Sequence, residues 1–181
     1  MAYGVIILNS IGATNIDARI LNFKSDVSDI DNGGVFSKTG ISTDMSEGEV
    51  FMADVVDIAA GTVYMAYTAG DIVVEDSMGE KYKLGLVDPR KYTNLQGFVF
   101  NGFAPMVGDR IQATMDCFAG SMGANEYVVA VDGTLKMEWA AAPGAGLSWK
   151  IVKRHDIAMA PTGELSASNR VEAYQFECVA I

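Results

Sequence analysis

Apolar and polar positions alternate most clearly in the second half of the chain. After Gly108-Asp109-Arg110, the side chains of Ile111, Ala113, Met115 and Cys117 point one way and those of Gln112, Thr114 and Asp116 the other. That is the period of a half-buried strand. Phe98, Phe100 and Phe103 load the segment just before it with aromatic area, so residues 97–118 predict strand, turn, strand. Upstream, residues 50–56 predict one strand. A second opens at Gly61, with Val63, Met65 and Tyr67 opposite Tyr64, Ala66 and Thr68. Residues 72–75 and 82–86 predict two short ones, and Pro89 with the polar residues 90–94 predicts a loop, because proline cannot donate to a ladder and holds its predecessor extended.

A hairpin is predicted over 127–139 around Asp132-Gly133. Asp-Gly favours a two-residue turn, but a three-residue loop sets Val131 with Leu135, Val129 with Met137 and Tyr127 with Trp139, all on one face. Burying each large side chain contributes about 1.5–3 kcal/mol, more than the whole β-propensity scale of about 1 kcal/mol, so the odd loop is expected. After a small-residue connection at 140–146, Leu147, Trp149 and Ile151 share one side of a strand, residues 161–169 form a polar loop, and 170–181 close the chain as an alternating strand. A terminal strand as apolar as this must pair, within a sheet or with another subunit.

Residues 1–48 carry a weaker pattern. A short strand is expected near 2–8; beyond it Ile11, Ile16, Ile20, Leu21 and Phe23 are loosely spaced and 25–34 is polar. The expected organisation is an acidic N-terminal arm or outlying hairpins at 1–48 and a β-domain at 49–181. The fold class is all-β, a single β-sandwich or β-barrel-like domain with an extended N-terminal arm. The 19 Gly against 4 Pro suit many short strands joined by tight turns.

Charge sharpens this division. Of a formal net charge of −10, all falls in residues 1–80, where three basic residues face thirteen acidic ones; residues 81–181 balance at ten and ten. Nucleic acid is not expected as a partner, since affinity for phosphates comes chiefly from Lys and Arg. An acidic segment serves solubility, or meets a basic partner surface. On the second reading the arm is an interface element, removable without unfolding the β-domain. The opening residues lack a basic region and their apolar run 5–8 is too short for a signal or a membrane span, so synthesis in a reducing cytoplasm without membrane association is expected.

Chemistry is sparse. His155 is the only histidine and sits beside Lys150, Lys153 and Arg154, the composition of a solvated basic strand end. Cys117 and Cys178 fall within strand patterns, as buried reduced thiols do; a Cys-His pair would need a proximity that spacing does not give. Asp29-Ile30-Asp31-Asn32-Gly33 begins like a calcium loop, but glycine stands where a third oxygen ligand is needed and Gly40 where the closing glutamate belongs, leaving a polar turn. Gly144-Ala145-Gly146 starts a dinucleotide fingerprint, yet Trp149 replaces its third glycine. Neither Asp54 with Asp57 nor Glu75 with Asp76 has a neighbour that marks it as a catalytic pair. No catalytic, cofactor-binding or metal-binding residues are expected, and no enzyme.

The order of segments in residues 73–118 resembles a known family. An apolar strand, a polar stretch ending LGLVDPRKYTNLQG, the strand FVFNGF and the strand GDRIQATMDCF look like the head decoration, or auxiliary capsid, proteins of long-tailed bacteriophages, encoded beside the major capsid gene. Leu84-Gly85, Asn94, Gly97, Phe100 and Gly108-Asp109 carry the likeness, and the alternating strand at 170–179 suits it. The resemblance implies a non-enzymatic virion protein, without cofactors, that binds the outer surface of an assembled capsid as an oligomer and reinforces it. Its partners would be the major capsid protein and copies of itself, and its location the capsid surface after synthesis in the host cytoplasm. Two alternatives stand beside it: a tail-tube or other self-assembling virion component, and a soluble β-barrel that binds a small ligand or glycan.

Overall fold

The computed structural model describes residues 4–11, 19–44, 48–68, 72–75, 81–84, 92–158 and 170–181. Its strands are β1 (Ile6–Ser10), β2 (Ile20–Ser25), β3 (Val35–Ile41), β4 (Val50–Asp54), β5 (Val63–Ala66), β6 (Ile72–Glu75), β7 (Lys81–Leu84), β8 (Val99–Phe103), β9 (Arg110–Thr114), β10 (Phe118–Ala119), β11 (Tyr127–Val129), β12 (Met137–Ala140), β13 (Ser148–Arg154), β14 (Ile157–Ala158), β15 (Arg170–Val171) and β16 (Ala173–Ala180). The expected loops at 161–169 and around Pro89 lie outside the described residues.

Two layers organise these strands. Five close into a barrel in the order β2-β4-β3-β5-β8, and seven form a sheet in the order β1-β9-β16-β13-β11-β12-β10. The fold is therefore all-β and barrel-like, as the strand periodicities predict. The N-terminal residues, however, are not an arm. β1 pairs with β9 in the sheet, while β2 and β3 are barrel staves bonded to β4, β5 and β8. A stave closed on both sides needs only one buried face, and the few large residues of β2 and β3 supply it; their weak periodicity reflects short strands, not a detached segment.

The barrel interior is aromatic. Phe23 has no exposed surface, and its ring centroid lies 4.7 Å from Phe36, 5.0 Å from Tyr64 and 6.2 Å from both Phe51 and Phe100. Gly102 of β8 makes room for this cluster: a Cβ there would stand 2.7 Å from Phe36 and 2.9 Å from Phe23.

Staves β3, β5 and β8 are also one wall of the main core. Val35, Val63, Met65 and Phe103 turn away from the barrel interior to pack with Ile111, Val128, Met137, Trp149 and Phe176 of the sheet. All four residues of β5 are consequently buried, where alternation alone predicts a half-exposed strand. β9 behaves similarly. Its polar positions are covered too: Gln112 donates to the His155 carbonyl, and the Thr114 hydroxyl accepts the Val5 N–H. The strand then ends at Thr114 in a single 3₁₀ turn, Met115–Cys117, rather than running on to Cys117.

The 127–139 segment departs furthest from expectation. Tyr127 pairs with Ala140, Val128 with Trp139 and Val129 with Glu138, one residue out of the expected register. Val128 faces the core, and Tyr127 and Val129 do not. The tip is not a free hairpin loop, because it bonds to the barrel. Val56 N–H donates to Thr134 and its carbonyl accepts from Gly133, Val35 N–H donates to Leu135, and Ile58 N–H donates to the Asp132 carboxylate. These bonds, with Val128 and Met137 buried between the layers, override the one-face arrangement of six apolar side chains on which the expected three-residue loop rests. β16 lies between β9 and β13, its expected pairing met within the sheet.

Candidate functional site

The sequence motifs with any claim to chemistry resolve into structural parts. Asp29, Asp31, Asn32 and Gly33 form a polar hub linking separate segments. The Asp29 carboxylate accepts the Gln96 N–H at 2.8 Å; that of Asp31 accepts Thr93 at 2.9 Å and pairs with Lys136 at 3.0 Å. Asn32 exchanges two bonds with the Thr68 backbone, and Gly33 has φ 87°. Beside them Asn94, 4% exposed, donates to the Ile30 carbonyl and to Asn32 and accepts from Thr68 and Tyr92. Both Asp31 oxygens are engaged, one by the Thr93 hydroxyl and one by Lys136, and the Asn32 oxygen accepts from the Thr68 N–H and from Asn94.

Asp57 caps a short 3₁₀ turn at Ile58–Ala60, and Asp54 accepts its neighbour's N–H. Glu75 with Asp76 lies outside the described side chains. Gly144 and Gly146 belong to a turn held by the Ser148 hydroxyl. Cys117 and Cys178 are buried and unbonded. Burial pushes both thiols up to about 12, and Cys117 touches Thr114 and the carbonyls of Val5 and Asn32. His155 is exposed at the end of β13, where its backbone bonds Ala173. Next to it Arg154 bonds Asp156 at 2.9 Å, which raises the guanidinium's pKa and holds the carboxyl below its usual range. Among the described residues no group of three or more His, Cys, Asp or Glu could hold a metal ion, and no helix is long and apolar enough to cross a membrane.

What remains is a surface. At one corner of the barrel the loop after β2 lies against the loop before β8. The Gly97 N–H donates to the Ser25 carbonyl, and Gln96 bonds the Asp29 carboxylate through its N–H and the Asp26 carbonyl through its side chain. Four large apolar side chains stand out here: Val27 at 51% exposure, Leu95 at 52%, Phe98 at 67% and Val99 at 46%. They stand on neighbouring, hydrogen-bonded segments, where exposed apolar side chains brought together mark a surface suited to contact.

A tight turn sets Phe98 outward. Phe98 N–H donates to the Leu95 carbonyl, and Gly97 has φ 79°, the left-handed value a type II turn needs at its third residue. Alternation groups Phe98 with the buried Phe100, but the strand starts only at Val99, so the grouping fails; Leu-Gln-Gly-Phe as a turn is the signal that could have revealed it.

Acidic groups border the patch. Asp26 and Asp29 are exposed beside Val27. Val99 pairs with Lys24 and Lys24 with Met52, which leads into a shallow cleft of about 320 Å³ lined by Lys24, Asp26, Ile41, Asp44 and Met52 among others. Ile41 at its edge is 60% exposed. The surface leading from the corner across these strands is thus mixed: Val99 and Ile41 are exposed, with Asn22, Asn101, Asp26 and Asp44 exposed among them.

No protein-family model, curated protein or solved structure matches this chain.

Proposed function

We propose that this chain is a structural virion protein that binds the outer surface of an assembled bacteriophage capsid and reinforces it, acting by contact and not by catalysis. The acid-edged apolar corner of the barrel carries the reading: four large hydrophobic side chains are 46–67% exposed on loops hydrogen-bonded to each other. A corner held that firmly keeps its apolar side chains outward at little ordering cost, the property of a preformed docking face.

The residues behind the family resemblance support the same region. Asn94 holds the loop roots, Gly97 makes the turn that presents Phe98, and Phe100 anchors the following strand in the barrel. Gly108-Asp109 forms the next turn, where the Asp109 carboxylate accepts the Met106 N–H; Gly85 lies outside the described residues. Contacts of modest strength, repeated over a capsid lattice, sum through multivalency.

The test mixes purified protein with mature heads of the phage that encodes it, then measures co-sedimentation and the temperature at which heads release DNA. Saturable binding that raises this temperature, reduced at least about tenfold by Phe98→Ala, is expected; tenfold corresponds to about 1.4 kcal/mol. Absence of binding at every salt concentration would refute the proposal.

A further inference from the structure

A second exposed apolar spot lies on the sheet, and its surroundings carry the opposite charge. In the β13–β16 ladder Ile151 opposes Phe176 and Lys153 opposes Gln175. Val152 is the extra residue of a bulge, which re-aims side chains and leaves one unpaired. Val152 is 47% exposed, between exposed Lys150 and Lys153. Nearby charges are already committed: Arg154 pairs with Asp156 at 2.9 Å and Glu172 at 3.5 Å, and Glu177 with Arg110 at 2.7 Å. Lys150 lies over the Tyr127 ring at 5.7 Å. Lys150 stands opposite Glu177 in the ladder, but that carboxylate is taken by Arg110, and among the described residues neither Lys150 nor Lys153 makes an ion pair, so this ridge offers two cations around an aliphatic centre.

The barrel corner offers the converse. Phe98, Leu95 and Val27 form the apolar centre, and Asp26 and Asp29 stand beside it. Asp29 spends one oxygen on the Gln96 N–H but keeps its charge. Corner against corner, or ridge against ridge, would set like charges together, whereas corner against ridge joins opposite charges around apolar contacts on both sides.

We infer that copies of this chain associate head to tail, the acid-edged barrel corner of one seating on the basic β13 ridge of the next. An interface built from two different patches is heterologous and continues until a ring closes or a filament grows. The occupant of the corner is then a second copy of this chain; a capsid surface would compete for the same corner, so self-association is measured in the absence of heads.

The purified full chain tests it by light scattering after size exclusion. A mass above the monomer is expected at low salt, falling to the monomer near about 1 M NaCl, where the screening length shrinks to about 3 Å. Two variants each break one face: Asp26→Asn with Phe98→Ser on the corner, and Lys150→Glu with Lys153→Glu on the ridge, so that the two altered faces do not complement each other. Each alone should be monomeric with an unshifted urea midpoint. Mixed, they retain one intact corner and one intact ridge, and should form a 1:1 heterodimer that grows no further. Lys153→Glu alone, a single exposed change, should weaken association at least about tenfold if the double variant misfolds. A wild type that is monomeric at every concentration, a variant that keeps the wild-type mass, or a mixture that forms no heterodimer would overturn the inference.

Discussion

Phe23→Ala tests the placement of the N-terminal strands directly, because Phe23 lies within the segment that charge and periodicity suggest is detachable. In the structure it is wholly buried, with four aromatic ring centroids between 4.7 and 6.2 Å away. Truncating a buried Phe costs about 3–5 kcal/mol, the spread reflecting how far the site can collapse. Collapse is poor here: the surrounding rings sit on staves closed into a barrel, and Gly102 has no side chain to move into the void. The cost should therefore lie near the top of the range, about 4–5 kcal/mol, against a total of about 5–15 kcal/mol for a folded domain. Taking a urea slope of about 2 kcal/mol per molar, the unfolding midpoint should fall by about 2 M, read by far-UV circular dichroism and tryptophan fluorescence together. Phe98→Ala is the internal control: its ring is 67% exposed, and an exposed truncation should stay within about 0.5 kcal/mol. If Phe23→Ala shifted the midpoint no more than Phe98→Ala, β2 would not be a barrel stave and the architecture would be wrong.

The remaining predictions concern single positions. Asn94→Ala removes a buried amide that bonds Ile30, Asn32, Thr68 and Tyr92, and should cost about 2–3 kcal/mol, as unsatisfied buried partners do; a loss below about 0.5 kcal/mol in urea unfolding would refute the clasp. Gly97→Ala has open space around the new Cβ but a φ of 79°, so a penalty of about 1–2 kcal/mol should come from backbone strain alone, and Gly97→Asn should recover part of it. Cys117 is held protonated by burial, its pKa raised from 9.0 to about 12. Above pH 9 the unfolded chain loses this proton while the folded one keeps it, so the contribution is complete below pH 9 and is lost as pH rises towards 12, at up to about 1.4 kcal/mol per pH unit. Cys178 contributes in the same window, so Cys117→Ala should reduce the combined thiol slope by about half over pH 9.5–11 in parallel melts, and an identical slope would show that the thiol is not buried.

The parts of the fold that could be read from sequence share one property: their burial comes from one side. β16 alternates at Phe176 and Cys178 because one face meets the core, as its pattern implies, although residues 170–171 form a separate strand; before β13, by contrast, Leu147, Ser148 and Trp149 are buried in succession. Where an element is buried from two sides the pattern misleads. β5 is covered by barrel and sheet at once, so its four residues are uniformly buried; β2 and β3 are staves whose few apolar residues suffice once neighbours close around them. The three-residue loop expected from one-face burial failed around Asp132-Gly133 for the related reason that backbone groups at the tip bond Val56 of another layer, a partner more than seventy residues away in sequence. The exposed apolar corner was hidden in a different way. Phe98, Phe100 and Phe103 read as one aromatic set, and only the turn ending at Phe98 separates the exposed ring from the two buried ones. A single glycine with positive φ therefore divides core from exposed surface, so the loop preceding β8 is where change can alter the apolar corner while leaving Phe100, Phe103 and the barrel they hold together untouched.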